Sequence, residues 1–129
     1  MRGNLLDTNV ILIAPVRPES LSPAVQKAVL DGPNFLSAIS YWEVVIKCMK
    51  GKLNVGDPKR WWTDVLEELA ADSLPLLPQH VGRFLALPPI HKDPFDRILI
   101  SQAVDEGLDL VTTDSEIPGY ASEDVRVIV

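Results

Sequence analysis

Three largely apolar runs in this chain are too short to be helices, and each stops at a polar side chain. Asn4-Leu5-Leu6 halts at Asp7, Phe35 to Ile39 at Ser40, and Leu110-Val111-Thr112-Thr113 at Asp114. Runs of this length between turn signals read as strands buried on both faces, and the stretches between them carry helical periodicity. Strands alternating with helices predict an α/β fold around a parallel sheet. Strand ends and following helix starts then collect along one edge of that sheet. The polar stops are directed to that edge.

The remaining segments fill in the pattern. Val10 to Ala14 predicts a short helix capped by Asp7, Thr8 or Asn9. Ser22 is the expected N-cap, and Pro23 the first residue, of a helix closing at Gly32. Ser40-Tyr41-Trp42-Glu43 has the form of a capping box, which predicts a helix opening at Ser40 and ending at Lys50-Gly51. Asp57-Pro58 opens an amphipathic helix whose Trp61 and Trp62 are either core or an interface. Leu74 to Leu77, interrupted by Pro75, predicts an edge strand, followed by a short helix around Val81 to Leu87. In Asp93-Pro94-Phe95-Asp96 the first acid is a natural N-cap and the second falls at the third position of a helix running to Gly107. Val125 to Val129 predicts a last strand.

A chain of 129 residues with 47% hydrophobic content is long enough for one domain, residues 1–129, with its own core. Eighteen acids against twelve Lys and Arg give a net charge of −6, which opposes a general electrostatic grip on nucleic acid and leaves room for a local basic edge. Asp7 breaks the first apolar run, and no run approaches the ~18 residues of a membrane span. A soluble cytoplasmic protein with no membrane association is expected. Cys48 has neither a disulfide partner nor zinc-ligand spacing around it and is expected as a small buried group. Trp42 is expected in the core, and His80 and His91 as ordinary surface or loop residues.

Asp7, Glu43, Asp93, Asp96 and Asp114 all fall at, or within a few residues of, a predicted strand-to-helix junction. Each alone is ordinary helix or turn chemistry. Their convergence is not. Two carboxylates about 4 Å apart repel by about 4 kcal/mol at an effective dielectric near 20, against the ~1 kcal/mol that a cap contributes. Such a group needs raised pKa values or a bound cation. An all-oxygen set without a His pair or Cys cluster selects a hard ion, Mg²⁺ or Mn²⁺. That chemistry suits phosphodiester hydrolysis by an activated water. No Gly-rich phosphate loop or G-x-S-x-G elbow offers another route.

Four blocks then occur in order: Leu5-Leu6-Asp7-Thr8-Asn9-Val10, Ser37-Ala38-Ile39-Ser40-Tyr41-Trp42-Glu43-Val44, His91-Lys92-Asp93-Pro94-Phe95-Asp96-Arg97 through Ala103, and Leu110-Val111-Thr112-Thr113-Asp114. Over nearly the whole chain this resembles a PIN-domain ribonuclease of the VapC toxin type. The resemblance implies a PIN-like three-layer α/β/α sandwich with a central, mostly parallel sheet of about five strands. It implies a Mg²⁺- or Mn²⁺-dependent endoribonuclease acting on structured RNA, a homodimer, and neutralisation by a VapB-type antitoxin. By position, Asp7, Glu43, Asp96 and Asp114 match the family's catalytic, metal-binding acids, and Asp93 an additional acid. Thr112 matches the hydroxyl residue supporting the last acid, and Asn9 the polar residue beside the first. Pro15 leaves the first helix shorter than relatives commonly have.

Lys47, Lys50, Lys52, Lys92 and Arg97 are candidate rim cations for RNA phosphates, or ordinary solvated charges. Two rival readings remain. A haloacid-dehalogenase-like phosphatase would use Asp7 as a nucleophile, although that motif wants a second acid where Asn9 stands. A non-catalytic module would use the acids as caps and as a docking patch for a basic partner.

Overall fold

A computed structural model describes residues 2–88, 93–115, 117–120 and 124–129. Its strands are β1 (Asn4–Leu6), β2 (Asn34–Ser37), β3 (Ala71–Leu74), β4 (Asp109–Val111) and β5 (Val127–Ile128). They form one sheet in the order β3-β2-β1-β4-β5, and every pairing is parallel. The helices are α1 (Thr8–Ile13), α2 (Pro23–Asp31), α3 (Ala38–Met49), α4 (Pro58–Glu68), α5 (Pro78–Arg83) and α6 (Pro94–Glu106). None of the described helices is long and apolar enough to cross a membrane.

Side-chain alternation along the strands builds a core on each face of the sheet. Leu5 and Leu110 point into a cluster completed by Ile39 of α3 and Ile98, Leu99, Ile100 and Ala103 of α6. Leu6, Leu36 and Val111 point the other way, against Val10 and Ile11 of α1, Val25 of α2 and Val65 of α4. The result is the three-layer α/β/α sandwich. Truncating a buried residue such as Leu5 or Ile100 to Ala is expected to cost about 2–5 kcal/mol. Trp61 and Trp62 are half-buried against the second cluster, and Trp62 stacks on Tyr41 with centroids 4.8 Å apart. Both pack on the margin of that cluster.

Polar residues in the strands tie down the amino edge of the sheet. Asn4 Nδ2 donates to Ala28 O at 2.8 Å and to Asn34 Oδ1 at 3.1 Å. Asn34 Nδ2 in turn donates to Val29 O at 2.8 Å and Leu69 O at 3.1 Å, so one buried pair holds the ends of α2 and α4. At the end of α6, Gly107 takes the left-handed conformation, φ 66°, where a residue without Cβ is favoured.

Several boundaries differ from the sequence reading. The N-cap of α3 is Ser37, not Ser40: its hydroxyl accepts from the Ile39 N–H at 3.0 Å and donates to the buried Gln102 Oε1 at 2.6 Å. A tertiary partner favours the earlier hydroxyl, and no Ser40–Glu43 capping box forms. The third strand is Ala71–Leu74 rather than Leu74 to Leu77, because Pro75 has no N–H to continue the ladder. It does lie at the sheet edge, as expected. The helix expected over Val81 to Leu87 starts at Pro78 and becomes a 3₁₀ turn over Phe84–Ala86. Trp42 is 57% exposed, a correction to its expected core position: the inward face of α3 is taken by Ile39, Ser40, Glu43 and Val44, and Trp42 is turned about 100° from Glu43. Cys48 is only half-buried.

Candidate active site

The sheet's parallel strands all end at one edge, and the strand order changes direction at β1. The chain runs from β1 outward to β2 and β3 on one side, and β4 and β5 lie on the other. In open α/β sheets the crevice outside the carboxyl ends at such a point is where ligands bind. Asp7 follows β1 directly and Asp114 follows β4, so the two acids flank that crevice. Glu43 projects from the second turn of α3, and Asp93 and Asp96 stand at the start of α6.

Asp7 is held by two short hydrogen bonds. Its Oδ1 accepts from the Thr8 N–H at 2.6 Å, which caps α1, and its Oδ2 accepts from the Thr112 hydroxyl at 2.6 Å. Thr112 is fully buried, and its hydroxyl also accepts the Asp114 N–H at 3.0 Å. One hydroxyl therefore joins the first and last acids. Burial pushes the Asp7 carboxyl up, the bonds from Thr112 and Thr8 oppose this, and the charges of Glu43 and Asp114 raise it further.

Glu43 is fixed from the opposite side. Its Oε1 accepts from the Thr8 hydroxyl at 2.8 Å, and that hydroxyl lies 2.9 Å from Ser40 Oγ. Its Oε2 meets Lys47 Nζ at 2.9 Å. The hydrogen bond it donates to Glu43 raises the Lys47 ammonium against the effect of burial, and the charges of Glu43, Asp93 and Asp96 add to it. Asp93 is the N-cap of α6, its Oδ1 accepting from the Phe95 N–H at 2.9 Å. The charges of Glu43 and Asp114 thus reach Asp7, and those of Glu43, Asp93 and Asp96 reach Lys47.

Thr8 and Ser40 escaped the sequence reading as site residues. The only cue to Thr8 is its place next to Asp7, whereas Asn9, the neighbour singled out there, is exposed. Two of the expected rim cations also bond within the chain. Lys47 pairs with Glu43 and lines a cleft with Lys50 and Lys52. Arg97 lies over the Phe84 ring at 4.3 Å and donates to Phe84 O at 3.5 Å and Leu87 O at 3.4 Å, holding the 3₁₀ turn against α6. Lys50 and Lys52 are exposed at the end of α3. Lys92 and His91 lie outside the described residues.

His80 is fully buried, a correction to the expected surface position. Among the described residues, three potential ligand atoms come within 4.8 Å of one another at His80, Asp105 and Glu106, about 14 Å along α6 from Asp96. That cluster is structural. His80 Nδ1 accepts the Leu77 N–H at 3.0 Å, which leaves the proton on Nε2, facing Glu106 at 3.4 Å and Asp105 at 3.6 Å. The neutral ring has no second lone pair for a metal. The set of acids at the switch point is entirely of oxygen donors. It fits a hard cation that retains waters, and a dication there would relieve the repulsion that Glu43 and Asp114 exert on Asp7.

Residues 5–122 match the family model described as PIN domain. Solved structures similar in fold include VapBC2 from Rickettsia felis bound to a DNA fragment from its promoter, with a TM-score of 0.68, 14% identity and 98% of each chain covered. FitAcB from Neisseria gonorrhoeae matches with a TM-score of 0.63 and 24% identity over 98% of this chain and 96% of that one. VapBC-5 from Mycobacterium tuberculosis, a member of the VapBC family of toxin-antitoxin systems, matches with a TM-score of 0.63 and 18% identity over 99% of this chain and 98% of that one. No curated protein sequence matches the chain.

Proposed function

The chain belongs to the PIN-domain family of nucleases, and on that premise we propose that it is a divalent-metal-dependent endoribonuclease, the toxin of a VapBC-type toxin–antitoxin pair. The observation that carries the proposal is the state of Asp7. It is 5% exposed, and its carboxyl is pushed up by burial and by two neighbouring anions at the switch point of the sheet. A structural cap has no need of such neighbours.

In this reading Asp7, Glu43, Asp96 and Asp114 hold Mg²⁺ or Mn²⁺, and Asp93 caps α6 first and serves as a ligand second. When bound, such an ion would supply charge stabilisation to phosphodiester oxygens and would make a water more acidic. The chain's own residues set the geometry. Thr8 holds Asp7 through its N–H and Glu43 through its hydroxyl, so two acids far apart in sequence are oriented by one residue. Thr112 keeps Asp7 and the Asp114 backbone in register. With a net charge of −6, RNA contact is confined to a local strip, and Lys50, Lys52, Lys92 and Lys47 are the phosphate contacts proposed for it. Arg97 acts indirectly, through the turn it holds.

The partners proposed are structured RNA, a second copy of the chain and a VapB-type antitoxin, all in the cytoplasm. The antitoxin proposal draws on solved structures of similar fold that are toxin-antitoxin systems. A basic side chain from such a partner is suited to neutralise the pocket. The test is RNA cleavage by the purified chain freed of any partner. Cleavage is expected with Mg²⁺ or Mn²⁺, and none with EDTA or in Asp96→Asn or Asp7→Asn. Activity that survives either substitution removes the site assignment. A folded protein that neither cleaves RNA nor responds to either ion is an acidic interaction module instead.

A further inference from the structure

The Lys47 ammonium holds the outer oxygen of Glu43 at 2.9 Å, while the inner oxygen of that carboxylate is taken by Thr8. The same side chain and Glu43 both line a cleft of about 280 Å³ that also takes in Lys50, Lys52, Asp93 and Phe95. The lysine side chain is 42% exposed, so its ammonium has open space to turn into. Lysine is suited to this, being a point charge on a flexible four-carbon stem rather than a fixed fork. An ammonium and a dication sharing one carboxylate oxygen repel each other, and the oxygen serves one at a time.

We infer that Lys47 is a latch between the two ligands of this site: it holds Glu43 until a divalent cation takes that oxygen, and the released ammonium then binds an RNA backbone phosphate in the neighbouring cleft. This rests on the metal-dependent reading above and adds a coupling to it. The cation and the phosphate chain assist each other's binding, because each occupies one of the two groups that otherwise pair together. Lys47 is a positioning residue in this scheme. The simpler alternative makes the pair an ordinary i, i+4 contact, with a last-turn lysine complementing the end of α3. That alternative leaves metal affinity independent of Lys47.

The experiment measures Mn²⁺ affinity by electron paramagnetic resonance of the free ion, on the intact chain and on Lys47→Met, Lys47→Arg and Lys50→Met. Lys47→Met keeps the aliphatic stem and removes the competitor, so Mn²⁺ is expected to bind about five-fold tighter, the scale of an exposed ion pair. Lys47→Arg, which keeps the charge, is expected near the parent value, and Lys50→Met unchanged. Single-stranded DNA then serves as the backbone probe. Mn²⁺ is expected to strengthen its binding to the parent chain and to lose that effect in Lys47→Met. Unchanged Mn²⁺ affinity in Lys47→Met overturns the latch and leaves the metal reading intact. Equal tightening in Lys50→Met also overturns it, by showing a general charge effect. No Mn²⁺ binding by the parent chain overturns both.

Discussion

Thr112→Val tests the bridge between the first and last acids of the pocket. The substitution is nearly isosteric at a fully buried position, so packing is kept and two hydrogen bonds are lost. One is the 2.6 Å bond to Asp7 Oδ2, and the other is the 3.0 Å bond from the Asp114 N–H. A bond to a charged group contributes about 1.5–3 kcal/mol and a neutral one about 0.5–1.5 kcal/mol, giving a loss of about 2–4 kcal/mol at neutral pH. The pH dependence follows from Asp7. Its folded-state pKa lies above the ordinary 3.8, so the folded state binds the proton more tightly. The stability this brings is fully present below 3.8 and disappears as pH rises through the folded value. Thr112 opposes that shift, and removing it raises the Asp7 carboxyl further. The deficit of Thr112→Val is therefore expected to be largest at pH 7 and to shrink as the pH falls toward 4. Urea unfolding midpoints in EDTA across that range measure it, with Thr112→Ser as the hydroxyl-retaining control. A Thr112→Val protein within about 0.5 kcal/mol of the parent at pH 7, the scale of an ordinary surface change, refutes the bridge. A deficit that widens on acidification refutes it equally.

Relative to the parent in metal-free buffer, Asp7→Asn is expected to gain stability as the pH rises from 4 to 7, because the parent must ionise a buried carboxyl whose pKa is raised and the amide does not titrate. The amide keeps an acceptor for the Thr8 N–H and loses the one for the Thr112 hydroxyl, and a difference between the two proteins that does not change with pH contradicts the prediction. A thermal shift on adding Mn²⁺ is expected to vanish in Asp96→Asn and to persist in Asp105→Asn. The reverse result moves the ion to the His80 cluster. Arg97→Met is expected to lower stability by about 1 kcal/mol, through the lost stacking on Phe84. It should leave the salt dependence of RNA binding unchanged, whereas Lys52→Met reduces that slope by about 1.

The sheet was legible because its strands are buried on both faces. Leu5-Leu6 and Leu110-Val111 carry no polar residue to break the run, and Asp7 marks where β1 leaves the sheet. The places of Asp7 and Asp114 just after β1 and β4 were legible for the same topological reason, since parallel strands deliver their ends to one edge. What could not be read depends on partners distant in sequence. Ser37 wins the cap of α3 through Gln102, 65 residues away, and Thr8 reaches Glu43 across 35. Trp42 was expected inside because of its size, but the inward face of its helix is committed to Glu43 and the site. His80 is buried because its Nδ1 closes the start of α5, a role that no local pattern announces.

Hydrolysis of RNA in ¹⁸O-labelled water, with the product ends analysed by mass spectrometry after a single turnover, tests the central claim most directly. Attack by a water activated in the acid pocket predicts one ¹⁸O in the terminal phosphate of a linear product, in Mg²⁺ or Mn²⁺ and not in EDTA. Unlabelled ends bearing a 2′,3′-cyclic phosphate would mean that the sugar hydroxyl attacked instead, and would contradict the assignment of Asp7, Glu43, Asp96 and Asp114 to a metal-dependent hydrolytic site.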